Sequence, residues 1–178
     1  MHGFVVRHAT VDDADAMCGI YNHEVMHETS TFDLVPRSTD AQRDWVAARS
    51  GAFAAIVAID STSEVVGFGS LSEYRDRAAY HTTVENSVYV RRDRARRGVG
   101  RLILTTLLDH ATASGFHCVI ARIEASSVAS RTLHESCGFR LVGIEREVGR
   151  KFGRWLSVAV MQCLVHDRAT DTALNRNI

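Results

Sequence analysis

The chain has 178 residues, enough for one domain with its own hydrophobic core. Its 21 basic and 21 acidic side chains balance, so neither a nucleic-acid-binding nor a membrane-surface role is indicated. The four cysteines lack C-x-x-C spacing and no apolar run reaches about 18 residues, so we expect no metal site and a soluble, cytoplasmic protein. We predict a single domain over residues 1–166 and a polar tail over residues 167–178.

Hydrophobic periodicity separates helices from strands along the chain. Thr10 suits the N-cap of the first helix, the polar stretch 60–64 predicts a hairpin turn, and Gly115 and Gly138 are expected to end helices. The resulting element order predicts an α/β fold in which helices cover a mixed sheet. The predicted helices span residues 11–27, 39–50, 101–114 and 126–136, and the predicted strands span residues 4–8, 52–59, 65–73, 80–90, 118–123, 139–148 and 155–165, with residues 149–154 joining the last two.

Six arginines crowd into residues 91–101, where a predicted strand ends and a predicted helix begins. The first N–H groups of a helix have no partner within it and lie at the positive end of its dipole, so they form an anion site. Gly98 and Gly100 let the backbone approach an anion closely because they have no Cβ. We therefore predict a pyrophosphate here. A Walker loop is excluded because the G-K-[ST] ending is absent, and the third glycine of a dinucleotide fingerprint is missing.

This turn resembles the acetyl-CoA signature of the GNAT superfamily of N-acetyltransferases, [QR]-x-x-G-x-[GA], although its first position is Ala95. Residues 74–90, 133–139 and 148–155 resemble the phosphinothricin acetyltransferase subgroup more closely. The resemblance implies a mixed, mostly antiparallel, twisted sheet of about seven strands flanked by helices. It also implies a homodimer with acetyl-CoA as co-substrate. The cofactor-binding residues that it implies are Val88, Tyr89, Val90, Arg96, Arg97, Gly98, Val99, Gly100, Arg101, Ser127 and Ser136.

Members of the subgroup acetylate the α-amino group of phosphinothricin, methionine sulfone and methionine sulfoximine, by direct attack of the amine on the thioester. A base is needed because an α-ammonium has a pKa near 8. Glu85 is the candidate, because in a strand it shares a face with Thr83, Ser87 and Tyr89. The alternative is a structural carboxylate paired with nearby arginines. The resemblance implies that His134 protonates the leaving thiolate, and a partly buried helix histidine is the alternative.

An amino-acid acceptor also carries anionic groups. Arg75 and Arg77 precede the strand of Glu85 and are placed to bind such groups, unless they are solvated loop arginines. Phe32 is a candidate wall of the side-chain pocket. The resemblance suggests that Lys151 and Arg154 in the last hairpin reach the site of a neighbouring subunit.

Other functions stay open on the sequence alone. Within the acetyltransferases the acceptor could be a polyamine, an aminoglycoside or a protein N-terminus, although a polyamine site should be acidic. A second class is a non-catalytic acyl-CoA-binding sensor. Two departures from the family pattern favour it, at Ala95 and at Ser127, where the subgroup usually has Asn, and Glu85 opposes it. A nucleic-acid binder is disfavoured because no recognition helix or aromatic platform accompanies the arginines.

Overall fold

The computed structural model describes residues 3–167, so most of the predicted polar tail lies outside the described residues. One seven-stranded sheet runs through the molecule in the order β1-β2-β3-β4-β5-β7-β6, and only β4 and β5 are parallel. The predicted α/β fold and the order of its elements are confirmed. The strands are β1 Val5–His8, β2 Ala55–Ile59, β3 Val65–Glu73, β4 Thr83–Val90, β5 Cys118–Glu124, β6 Arg140–Lys151 and β7 Arg154–Leu164, and the helices are α1 Ala14–His27, α2 Thr39–Ala47, α3 Val99–Ala113 and α4 Val128–Glu135.

The last hairpin differs from the sequence prediction. We expected residues 149–154 to connect two strands, but β6 continues to Lys151 and β7 begins at Arg154. The turn is therefore only Phe152 and Gly153, which have positive φ angles of 50° and 75°. Two consecutive residues of that kind form the tight turn that matches the twist of paired strands. The prediction of a longer connection was wrong because Phe152 adopts a positive φ, which turn preferences assign to Asn, Asp or Gly.

Two apolar clusters pack on opposite faces of the sheet. Strand residues alternate between faces, so Ile56 and Ala58 of β2 join the cluster beneath α3, whereas Ala55 and Val57 join the cluster beneath α1 and α2. The α3 side includes the fully buried leucines at positions 104, 107 and 108, which repeat at helical spacing. No helix within residues 3–167 is long and apolar enough to cross a membrane.

The two parallel strands separate partway along their length. β4 pairs with β5 from Thr83 opposite Cys118 to Glu85 opposite Ile120, and the pairing recorded between them ends there. Both strands continue beyond this point, to Val90 and Glu124. Backbone groups on the facing edges of the two strands therefore need partners other than each other, and the space between them forms a cleft.

Candidate active site

A cavity of about 360 Å³ lies where β4 and β5 separate. The cleft strands supply two of its walls, and the loop between α1 and α2 supplies a third. α4 closes the fourth side. The lining residues are Ser30, Thr31 and Phe32 of the loop, Glu85 to Tyr89 of β4, Ala121 to Glu124 of β5, Ser127, Ser130 and His134 at α4, and Val158 of β7.

Glu85 lies at the last paired position of β4 and is half-buried in this cavity. Burial raises the pKa of its carboxyl above the ordinary value, while the charge of Arg122 lowers that pKa and the charge of Glu145 raises it. In the part of the chain that the structure describes, Glu85 has no ion pair with Arg75 or Arg77. A carboxyl with a raised pKa, desolvated at the end of a cleft, is suited to accept a proton near neutral pH.

The two loop arginines lie outside the cavity lining. Arg75 is exposed and stacks over Tyr74 and Tyr80, with its guanidinium carbon 4.9 and 5.4 Å from the two ring centroids. Arg77 is exposed and precedes the short turn that leads into β4. The structure therefore places these arginines before the strand of Glu85, as expected, without bringing their charges into the closed part of the site.

His134 is held as a neutral imidazole between two partners. Its side chain is 3% exposed, and burial lowers the pKa of the ring. Nδ1 lies 2.8 Å from the carbonyl oxygen of Ser130, so Nδ1 carries the proton and donates it in a hydrogen bond. Nε2 then accepts from the amide nitrogen of Asn86 at 3.1 Å. This arrangement does not present an imidazole proton to the cavity, because the protonated nitrogen faces a backbone carbonyl.

The turn before α3 has the backbone that an anion site needs. Leu102 donates the first hydrogen bond within the helix, to the carbonyl of Gly98 at 3.0 Å, so the amides of residues 99–101 have no acceptor inside the helix. Gly98 has φ +85°, a left-handed conformation that glycine adopts without cost. Gly100 also lies close to α4. A Cβ there would lie 3.1 Å from Leu133, so this glycine allows α3 and α4 to approach.

Among the described residues, three of the six arginines of the cluster are paired with carboxylates. Arg91 pairs with Asp93 and Glu64, Arg94 pairs with Asp93 and Asp60, and Arg92 pairs with the buried Glu24. These three arginines fix the turn to α1 and to the β2–β3 hairpin. Across residues 3–167, no carboxylate forms an ion pair with the remaining three, Arg96, Arg97 and Arg101.

The remaining predicted cofactor residues lie around the same cleft. Arg101 donates a hydrogen bond of 3.4 Å to the carbonyl of Ser136, which places Ser136 beside the start of α3. Ser127 precedes α4 and lines the cavity. Val88, Tyr89 and Val90 form the β4 edge beyond the last pair with β5. Of the predicted cofactor residues, Val88, Tyr89 and Ser127 line the cavity, whereas Val90 and Ser136 lie outside its lining.

The loop that walls the cavity is supported by the last hairpin of the same chain. Lys151 is 3% exposed, and its ammonium donates to the carbonyls of Glu24 at 3.2 Å and Thr31 at 2.8 Å. Phe32 packs directly against Gly149, where a Cβ would overlap the ring. The expectation that Lys151 reaches a neighbouring subunit is wrong, because its ammonium is buried within its own chain. Arg154 lies at the exposed start of β7.

Several polar residues of the cavity lining were not among the predicted site residues, and the largest of them are Asn86, Arg122 and Glu124. Glu124 is 8% exposed and accepts from the backbone N–H of Ser126 at 3.1 Å and from its hydroxyl at 2.5 Å. The sequence does contain a pattern for the β5 residues: residues 120, 122 and 124 alternate with apolar core residues, so they share one face of β5. This pattern predicts a place in the cavity only when β5 is known to lie beside β4. Among residues 3–167, no group of three metal-ligating side chains is assembled.

Comparison with known proteins agrees with this geometry. Residues 19–139 match the model of the acetyltransferase (GNAT) family. The chain is 37% identical over 159 residues to the L-methionine sulfoximine/L-methionine sulfone acetyltransferase of Pseudomonas aeruginosa, covering 88% of this chain and 92% of that protein. It is 39% identical over 157 residues to the phosphinothricin N-acetyltransferase of Streptomyces coelicolor, covering 86% and 92%. A phosphinothricin acetyltransferase of Sinorhizobium meliloti, solved in complex with acetyl-CoA, superimposes with a TM-score of 0.87 at 31% identity, covering 90% and 88%.

Proposed function

The chain belongs to the GNAT family of acetyltransferases, and we propose that it moves an acetyl group from acetyl-CoA to the α-amino group of a small amino-acid-like acceptor. Acceptors of the phosphinothricin, methionine sulfone and methionine sulfoximine type are supported by the names of the relatives. The observation that carries the proposal is Glu85, which stands in the cavity at the point where β4 and β5 part.

The residues of the turn and the cleft fit acetyl-CoA. The amides of Val99, Gly100 and Arg101, opened by the left-handed Gly98, suit a diphosphate, and Arg96, Arg97 and Arg101 add charge around it. Alternate N–H and C=O groups of β4 point away from β3 and into the cleft, where the amides of an extended pantetheine arm would pair with them. Bound acetyl-CoA supplies a thioester, which is an acyl donor for an amine.

Glu85 prepares the acceptor for attack. Its carboxylate binds the acceptor ammonium and takes a proton from it, directly or through one water, so that the neutral amine can attack the thioester carbonyl. The C–N bond then forms, the C–S bond breaks, and coenzyme A leaves as a thiolate that takes up the second amine proton. The raised pKa of Glu85 brings its proton affinity closer to that of the amine. A backbone N–H among Val88, Tyr89 and Val90 donates to the carbonyl oxygen as negative charge develops there, which is worth roughly 3 kcal/mol for a fixed donor.

Other residues of the site position the two substrates. Phe32 walls the acceptor side, and Ser127 and Ser136 border the cofactor side of the cleft. His134 acts through Asn86, whose amide it holds, rather than as a proton donor to the leaving thiolate. Arg75 and Arg77 receive a distal anionic group of the acceptor, such as a phosphinate, because their loop leads directly into the strand of Glu85.

We also propose a homodimer and a cytoplasmic location. β6 is an edge strand that exposes several large apolar side chains, a pattern that a second copy would cover. The four cysteines are buried and free, which suits a reducing compartment. The exposed large apolar residues of the hairpin are Leu141, Val142, Ile144, Val148, Phe152 and Trp155.

A thiol-release assay tests the function. Purified protein is given acetyl-CoA with L-methionine sulfone, L-methionine sulfoximine, phosphinothricin or spermidine. We expect turnover with at least one of the amino acids and none with spermidine. Turnover with spermidine alone would assign the enzyme to another amine. Binding of acetyl-CoA without turnover of any acceptor in a wider amine panel would favour a sensor.

A further inference from the structure

The cavity contains a guanidinium that the residue assignments above do not use. Arg122 lines it on β5, together with the carboxylates of Glu85 and Glu124. Glu85 is paired with Ile120, and Arg122 lies two residues further along β5 on the same face, beyond the last recorded pair, so Glu85 and Arg122 line the same face of the cleft. The coupling of the Arg122 charge to the Glu85 carboxyl agrees with this placement.

Arg122 has a partner that a ligand can replace. Its guanidinium contacts Glu145 of β6 at 2.7 Å, and the two side chains are 38% and 40% exposed. Ion pairs this exposed are weak and exchange readily for other anions. The other carboxylate of the lining is less available, because Glu124 is already bound to Ser126 and faces Thr29 at 3.5 Å.

The signs of these two charges match one end of an α-amino acid. Such a molecule carries its ammonium and its carboxylate on the same carbon atom. β4 and β5 separate beyond the pair of Glu85 and Ile120, so the space between the carboxylate and the guanidinium is open, and a zwitterion bound there can meet both groups. Arginine suits the carboxylate because its planar fork donates two parallel hydrogen bonds.

We propose that Arg122 binds the α-carboxylate of the acceptor, exchanging Glu145 for it, while Glu85 holds the α-ammonium. The inference rests on the proposed function, because it presupposes an amino-acid acceptor. It adds a specificity-determining residue within the cavity. The distal groups of the acceptor stay with Phe32 and the arginines of the β3–β4 loop.

The test compares L-methionine sulfone with its carboxamide, which keeps the amine and lacks the carboxylate. We expect Arg122→Gln to raise the KM for the sulfone by about tenfold or more, the loss of one charge-assisted pair. In Arg122→Gln, the KM for the carboxamide and the KM for acetyl-CoA should stay within about twofold of their wild-type values. Arg122→Lys keeps the positive charge and should show a smaller rise in the KM for the sulfone than Arg122→Gln. Arg146→Gln, at an exposed position outside the cavity lining, is the control and should change none of them.

Glu145→Gln provides an independent variant that keeps the guanidinium. It removes the competing anion and should lower the KM for the sulfone. An equal rise in KM for both acceptors in Arg122→Gln, or an unchanged KM for the sulfone, would overturn the assignment of Arg122. A wild-type enzyme that acetylates spermidine and no amino acid would instead overturn the proposed function, and Arg122 with it.

Discussion

The amide of Asn86 on β4 donates a hydrogen bond to Nε2 of His134 on α4, across 3.1 Å and 48 residues of sequence. The other ring nitrogen donates to Ser130, so the imidazole links α4 to the strand that carries Glu85. A histidine held in this way orients a cavity residue. This positioning role can be separated from acid catalysis by substitution. Positioning requires a hydrogen-bond acceptor for the amide of Asn86, whereas acid catalysis requires a group that can give up a proton.

We predict that His134→Gln retains most of the activity and that His134→Phe does not. Glutamine can place a carbonyl oxygen near the position of Nε2, whereas phenylalanine leaves the buried amide of Asn86 without an acceptor, at a cost of about 1–3 kcal/mol. The measurement is kcat and kcat/KM against pH for both variants. A catalytic acid at this position would make both variants equally inactive and would remove the basic limb of the profile.

Stability against pH gives a second check on His134. Its folded-state pKa lies below the ordinary 6.5, so the unfolded chain binds this proton more tightly. Wild-type protein should therefore lose stability as the pH falls below 6.5 and toward the folded-state pKa, and His134→Gln should lack that component. Urea unfolding at several pH values measures the difference, and identical pH dependence would contradict the buried neutral imidazole.

Glu85→Gln should lower kcat by about 10²- to 10⁴-fold, because the variant cannot accept the proton of the ammonium. Acetyl-CoA binding should be unchanged, as measured by calorimetry. The folded-state pKa of Glu85 is raised above the ordinary 4.5, so the folded protein binds this proton more tightly than the unfolded chain. Stability contributed by the protonated form is lost as the pH rises from 4.5 through the folded-state pKa. At neutral pH the variant should therefore be at least as stable as wild type. A kcat equal to that of wild type would remove Glu85 from the mechanism.

Two glycines allow the phosphate turn to be tested against a matched control. Gly98 and Gly115 flank α3, with φ +85° and +80°, and a Cβ at either would meet nothing within 4 Å. Alanine in a left-handed conformation costs about 1–2 kcal/mol, so both substitutions should lower the stability by similar amounts. Only Gly98→Ala should also raise the KM for acetyl-CoA, by about tenfold, because the proposed diphosphate site lies at that turn. Equal KM values in the two variants would argue against the anion site.

The edge of the sheet predicts the behaviour of the proposed dimer. Wild-type protein should elute with twice the 19.7 kDa of one chain in light-scattering chromatography. Val142→Asp, on the exposed edge strand β6, should shift it toward the monomer because a charge would be buried between two apolar surfaces. Val5→Asp is the control, since Val142 and Val5 are 61% and 60% exposed and β1 is the opposite edge. An unchanged mass for both variants would place the interface elsewhere.

The sequence by itself determined the elements whose signals are local. The alternation around Glu85, the Gly98 turn and the leucines of α3 depend on spacings of two to four residues, so strand, turn and helix follow from the pattern alone. Tertiary structure decided which charges are available. It paired Arg91, Arg92 and Arg94 with carboxylates, buried Lys151 under the wall of the cavity, and brought Arg122 beside Glu85. The reason is that neighbours distant in sequence decide whether a charged side chain is paired, buried or available to a ligand. Here the two parallel strands pair for three residues and then separate, and this separation forms the cavity that Arg122 and Glu85 line.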